Sequence, residues 1–187
     1  MLLHATTGSH DVVVGTPVSH RGTADRDAMV APLSELLPLR LSADPDRSFA
    51  DFVAQVRTKA HEAMTYSEIS YAQLVGLTRR RGQAATRELC RTVVVVDDAR
   101  TSGIELPGVT ARREYVFSGV SKFDLCLTFV AEDNGYLGFL EYAADLFSAE
   151  TAERMATDFT ALLDLATGDA GLPLSRLGRR LARGGSD

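Results

Sequence analysis

Two short valine-rich runs, Asp11 to Val18 (DVVVGTPV) and Val93 to Val96, most tightly limit what this chain can fold into. A β-branched run too short for a helix reads as a buried strand, and a buried strand needs other elements to cover it. The first run closes at Gly15-Thr16-Pro17, because proline lacks the amide that a ladder uses. The second closes at Asp97-Asp98. Helical spacing lies around both. Ser48 is placed to cap a helix with Asp51 in its first turn and Phe49, Phe52, Val53, Val56, Ala60 and Met64 on one face. Tyr71 to Arg79 reads as a shorter helix with Leu74, Val75 and Leu77 inward, ended by Arg79-Arg80-Arg81 at Gly82. Ser148 caps a long helix whose stripe is Met155, Phe159, Leu162, Leu163 and Ala166, stopped by Gly168.

Other segments carry weaker patterns. Leu33 to Leu41 is apolar but broken by Pro38 and predicts a short helix passing into a strand. Ser19 to Asp27 and Thr101 to Gly108 are polar and loop-like, and Val109 to Phe117 alternates as a half-exposed strand. Phe123, Leu125, Leu127 and Phe129 alternate up to Asp133-Asn134-Gly135, and Tyr136 to Ala143 runs back. Asn-Gly there predicts a type I′ hairpin with both turn residues at positive φ. After Leu177 the segment GRRLARGGSD reads as a linker or tail. The order predicts an α/β (α+β) mixed-sheet sandwich, with one unit over residues 1–177 and a tail over 178–187.

Charge and composition narrow the function classes. Hydrophobic residues make up 45% and charged residues 24%, a globular balance. A net charge of −5 argues against nucleic-acid binding, which needs a basic surface. No run of 18 apolar residues exists, so no membrane span is expected. Met1-Leu2-Leu3-His4 is too short for a signal peptide, and a cytoplasmic protein is the simplest reading. Cys90 and Cys126 lie in apolar stretches and read as reduced core residues.

Catalytic signatures are missing. The chain has no G-x-S-x-G, H-E-x-x-H or C-x-x-C, and no glycine-rich loop of the phosphate-cradling kind. Its four histidines, His4, His10, His20 and His61, are dispersed. His20 falls at the C-terminal end of the first strand, where α/β proteins often place function, or is an exposed loop residue. His61 beside Glu62 reads as solvated. No catalytic residue and no metal-ligand set is expected.

Six segments, in order, resemble condensation domains of nonribosomal peptide synthetases. Gly15 to Arg21 (GTPVSHR) is similar to the family's GTPVxGR. Val30 to Arg40 (VAPLSELLPLR) resembles IGxFVNTLPLR, and Arg47 to Val75 resembles the helix leading into HQDxPFExLV. Lys122-Phe123-Asp124-Leu125 resembles KFDL, and Leu140-Glu141-Tyr142 with Asp145-Leu146-Phe147 resembles LEYxxDLF. Leu172 to Leu177 resembles the PLSxL tract that opens the linker to the next domain.

The resemblance implies one lobe of a chloramphenicol acetyltransferase-like fold, the C-terminal half, since the chain begins about where the second lobe begins. It implies a channel between two lobes, in which an acceptor amine attacks a donor thioester. Both substrates ride on phosphopantetheine arms of peptidyl carrier proteins, with no cofactor bound directly. The HHxxxDG motif belongs to the N-terminal lobe and is absent from this chain, so the chain alone is expected to be inactive. The implied partners are that N-terminal lobe and carrier proteins, with a homodimer through the exposed lobe interface as another possibility. The implied channel or interface residues are Gly15, Thr16, Pro17, His20, Arg21, Glu35 and Arg40. Arg40 is expected to pair with the aspartate of HHxxxDG, or else to be an exposed arginine at a strand end.

Departures from the family pattern keep other readings open. Glu35-Leu36 stands at the family's Asn-Thr, Ala31 at its glycine, and Tyr66 to Ala72 at HQDxPFE. The PL of RDxSRxPL is not recognisable near Arg87-Glu88-Leu89. A non-catalytic recruitment module and an epimerisation-type relative are the alternatives.

Overall fold

The computed structural model describes residues 1–80, 89–97, 107–109, 114–132 and 134–184. The expected helix stop at Gly82, the region of Arg87-Glu88, Asp98, the loop over residues 101–106 and Asp133 lie outside them. Strand β1 (Asp11–Ser19) pairs antiparallel with β2 (Ser34–Ser42) and parallel with β3 (Thr92–Asp97) at Gly15 and Val93. Strand β4 (Leu125–Glu132) runs parallel to β3 and antiparallel to β5 (Gly135–Tyr142). The order is β2-β1-β3-β4-β5. The helices are α1 (Leu2–Thr7), α2 (Ala24–Asp27), α3 (Phe49–Thr65), α4 (Tyr71–Arg80), α5 (Ala149–Gly168) and α6 (Leu174–Gly184). None of the described helices is long and apolar enough to cross a membrane.

Both prolines lie inside strands, contrary to expectation. Ala43 donates its amide to the His10 carbonyl on β1's side, while the Ser42 amide turns outward to Gln55 Oε1. Strand amides alternate, so Pro38 places its missing donor on the open edge, where no ladder bond is lost. Leu33 to Leu41 therefore contains no helix. Pro17 likewise faces the β3 side of β1, and β3 pairs there only at Gly15. β1 continues to Ser19.

The hairpin register also differs from expectation. Glu132 pairs with Gly135, so Gly135, at φ 152°, belongs to β5 and opens it. Asn134 does not have a positive φ. Pairing Leu127 with Leu140 sets this register, because a one-residue slip would turn the apolar set of β5 to the opposite face.

A single core joins β2 to three helices. Leu39, Leu41, Phe52, Leu162, Ala166, Leu172, Leu174 and Leu177 are all buried in it, each large one contributing about 1.5–3 kcal/mol of transfer free energy. Ser48 caps α3 by accepting the Asp51 amide, and Ser148 caps α5 by accepting the Thr151 amide. Val53 and Met64 of α3 and Leu77 of α4 are exposed rather than inward. Glu114–Phe117 is not strand; Tyr115 and Phe117 instead stack on Phe139, and the Tyr115 hydroxyl donates to Asp97.

The expected tail is helical. Leu174 and Leu177 are fully buried, which holds α6 against the core across the Leu177–Gly178 boundary. Gly178 lies against Ala5 of α1. Before α6, the chain is strapped to the start of α3. Phe49 and Ala50 donate to the carbonyls of Leu172 and Ala170, and Leu174 and Ser175 donate to those of Arg47 and Pro45.

Candidate functional site

The segment Gly15 to Arg21 runs off the end of β1 into a loop that its own arginine organises. Arg21 Nη1 donates to the carbonyls of Arg26 (2.8 Å), Asp27 (3.3 Å) and Met29 (3.1 Å), and Nη2 donates to that of Ala31 (3.1 Å). Arg26 in turn donates to the His20 carbonyl, and Asp27 accepts the Gly22 amide. Arg21 is thus a clamp on main chain, since a guanidinium presents five donors in a fixed fork. His20 is half-buried beside this loop, Thr16 is half-buried, and Pro17 is exposed.

Gly15 has a steric reason to lack a side chain. A Cβ there would lie 3.0 Å from Cys90 Cβ and 3.1 Å from Leu36 Cδ1 and from Val93 Cγ2. This close approach seats Cys90, whose amide donates to the Tyr71 hydroxyl, while Glu35 Oε2 accepts the Tyr71 amide at the N-terminus of α4. A carboxylate there suits the positive end of the helix. Burial pushes the Cys90 thiol up to about 11, opposed by its bond to Tyr71. Cys90 is buried and free as expected; Cys126 is free but only half-buried.

Arg40 lies elsewhere. Its Nε donates to both Asp11 carboxylate oxygens (2.8 and 3.1 Å), and Nη2 donates to Oδ2 at 2.6 Å. The Arg40 hydrogen bond holds the Asp11 carboxyl below its usual range. Both side chains are more than half exposed. They border an open groove of about 740 Å³ between β2 and α3, whose lining includes His10, Leu39, Gln55, Lys59, Glu62 and Tyr66. Arg40 pairs with Val13 in register and Glu35 with Val18, five residues or roughly 17 Å apart along the strand.

The predicted residues thus fall in two regions, the outer half of β1 with the loop after it, and the groove. Gly15 and Glu35 meet through Tyr71 and Cys90, His20 and Arg21 share the loop after β1, and Arg40 belongs to the groove. Asp11 and Tyr71 were missed as participants. Asp11 follows His10 in a polar stretch, and only the antiparallel register brings it to Arg40 across 29 residues. Among the described residues, no group of three or more His, Cys, Asp or Glu side chains is placed to hold a metal ion.

These two regions sit on a fold shared with peptide synthetases. The chain is 29% identical over 177 residues to phosphinothricin tripeptide synthetase PhsC of Streptomyces viridochromogenes, covering 94% of this chain and 16% of that protein. It is also 29% identical over 175 residues to surfactin synthase subunit 1 of Bacillus subtilis, covering 94% of this chain and 5% of that one. The chain therefore spans a small part of each curated relative. A four-domain nonribosomal peptide synthetase bound to AMP and glycine superposes with a TM-score of 0.80 at 20% identity, over 94% of this chain and 14% of that one. The X-domain in complex with OxyB from teicoplanin biosynthesis superposes with a TM-score of 0.76 at 24% identity, over 94% and 40%. These likenesses show the mixed α/β, chloramphenicol acetyltransferase-like fold. With the Condensation domain profile matching residues 1–179, the chain belongs to the condensation domain family.

Proposed function

We propose that this chain is the C-terminal subdomain of a nonribosomal peptide synthetase condensation domain. It would supply one wall of the substrate channel and a docking surface for carrier proteins. The observation that carries this reading is a family match over residues 1–179 in a sequence with no HHxxxDG. In the reaction, the acceptor amine attacks the donor thioester, forming the C–N bond and breaking the C–S bond to release the donor's phosphopantetheine thiol. A histidine near the amine is needed to manage its proton. His20 and His61 lie outside the groove beside Arg40, and His10, which lines it, does not stand in an HHxxxDG sequence. The reading therefore assigns the catalytic histidine to an N-terminal lobe, with the exposed Arg40–Asp11 pair and its groove facing that lobe. The setting is cytoplasmic, and phosphopantetheine arms enter as tethers of the substrates.

The test is amide formation between aminoacyl groups loaded on donor and acceptor carrier proteins. The chain alone gives no product, and an HHxxxDG-bearing N-terminal lobe added in trans restores it. Turnover by the chain alone overturns the reading.

A recruitment module is the second reading, favoured by one observation. Glu35, which stands at the family's Asn-Thr, is engaged with the α4 amide of Tyr71. A stable complex with a carrier or tailoring enzyme, formed without any N-terminal lobe, would support it. A homodimer, registered by light scattering and unaffected by that lobe, would argue for an independent unit as well.

A further inference from the structure

We propose that His4 and His10 form a surface site for a borderline divalent cation of the Zn2+ class, at the rim of the groove beside Arg40. His4 lies on α1 and His10 immediately precedes β1, and their rings meet with centroids 5.0 Å apart at a 40° tilt. Each ring is held by its Nδ1, His4 to the Ser9 carbonyl at 2.9 Å and His10 to the Ala43 carbonyl at 3.0 Å. A carbonyl oxygen only accepts, so both Nδ1 atoms carry a proton, and in the neutral ring the lone pair is on Nε2. This is the arrangement that a metal-bound imidazole has, with one nitrogen on the ion and the other donating to a carbonyl that fixes tautomer and ring.

The spacing fits as well. With a metal–nitrogen bond of about 2.0–2.1 Å, two imidazoles bound cis to one ion have centroids roughly 4.5–5 Å apart. His10 is exposed and His4 half-buried, so an ion can enter from solvent. The neighbouring carboxylate of Asp11 is engaged by Arg40. No group of three ligating side chains exists among the described residues, so water fills the remaining positions. Imidazole ligands suit Zn2+, Cu2+ and Ni2+ over Mg2+ or Ca2+. A bound ion would join α1 to the first strand.

Isothermal titration of the intact chain with Zn2+, repeated on His4→Gln, His10→Gln and His61→Gln, tests the site. The expected result is one ion per chain, weakened more than about tenfold by each of the first two substitutions and unchanged by His61→Gln. No binding at one equivalent overturns the proposal, as does binding that survives in both His4→Gln and His10→Gln. Imidazole 15N shifts of the unsubstituted protein provide a readout free of any folding defect. Zn2+ should move Nε2 of His4 and His10 while Nδ1 stays protonated. Shifts at His20 or His61 instead overturn the proposal.

Discussion

The two edges of the sheet have the same pairing and opposite characters. β2 and β5 each make one antiparallel pairing with an inner neighbour. β2 carries three buried leucines, Leu37, Leu39 and Leu41, whereas no residue of β5 is fully buried. The open side of β2 is blunted by Pro38 and by Gln55 on the Ser42 amide. In β5, Ala143 donates inward to Asp124, so the amides of Tyr136, Gly138, Leu140 and Tyr142 alternate outward with no proline among them. An edge of that kind is a template for further pairing. The difference teaches that one edge of this sheet is built into the core and the other turns its amides outward, away from the core.

The largest expected effect separates the two edges by stability. Leu39→Ala leaves a cavity in the shared core and costs about 2–5 kcal/mol, whereas Leu137→Ala, exposed on β5, stays within about 0.5 kcal/mol. Urea unfolding midpoints compare them; equal losses would erase the distinction. Gly15→Ala comes next. Its new methyl meets Cys90, Leu36 and Val93 at 3.0–3.1 Å and costs about 1–3 kcal/mol, which the same titration reads. Pro38→Val sharpens the comparison from the other direction. It restores an outward amide on β2, and light scattering should show more self-association, while Leu137→Lys on β5 shows less.

The smallest effect concerns Asp11. Arg40 lowers its folded-state pKa, so the pair's contribution is present at neutral pH and is lost as pH falls through that lowered value. Asp11→Asn should flatten this acid limb, and salt should weaken the difference because both groups are exposed. Unfolding midpoints followed from neutral pH down to below about pH 4 check it.

What the sequence revealed follows from how local each signal is. Ser48 and Ser148 were readable as caps because a cap needs only its own next three residues. The valine runs were readable because burial shows in composition. Pro17 and Pro38 misled because their tolerance depends on which side of a strand faces an empty edge, and that is set by partners far along the chain. The part of α6 after Leu177 was read as a tail because its arginines outnumber its one leucine, and the leucines that the core covers completely, Leu174 and Leu177, lie before it. At the candidate sites, the resemblance singled out Gly15 and Arg21, and the structure shows the close packing of the one and the main-chain bonds of the other. The Arg40–Asp11 and Glu35–Tyr71 contacts were not legible, since both cross between elements.

The strap between residues 170–175 and 45–50 bears on mechanics. Its four main-chain bonds tie the entry to α6 to the start of α3, rather than leaving α6 attached through side chains alone. A pull on α6 along the strap would load these bonds together in shear instead of peeling them singly. A displacement of α6 would therefore be passed to the start of α3, the helix that forms one wall of the groove beside Arg40.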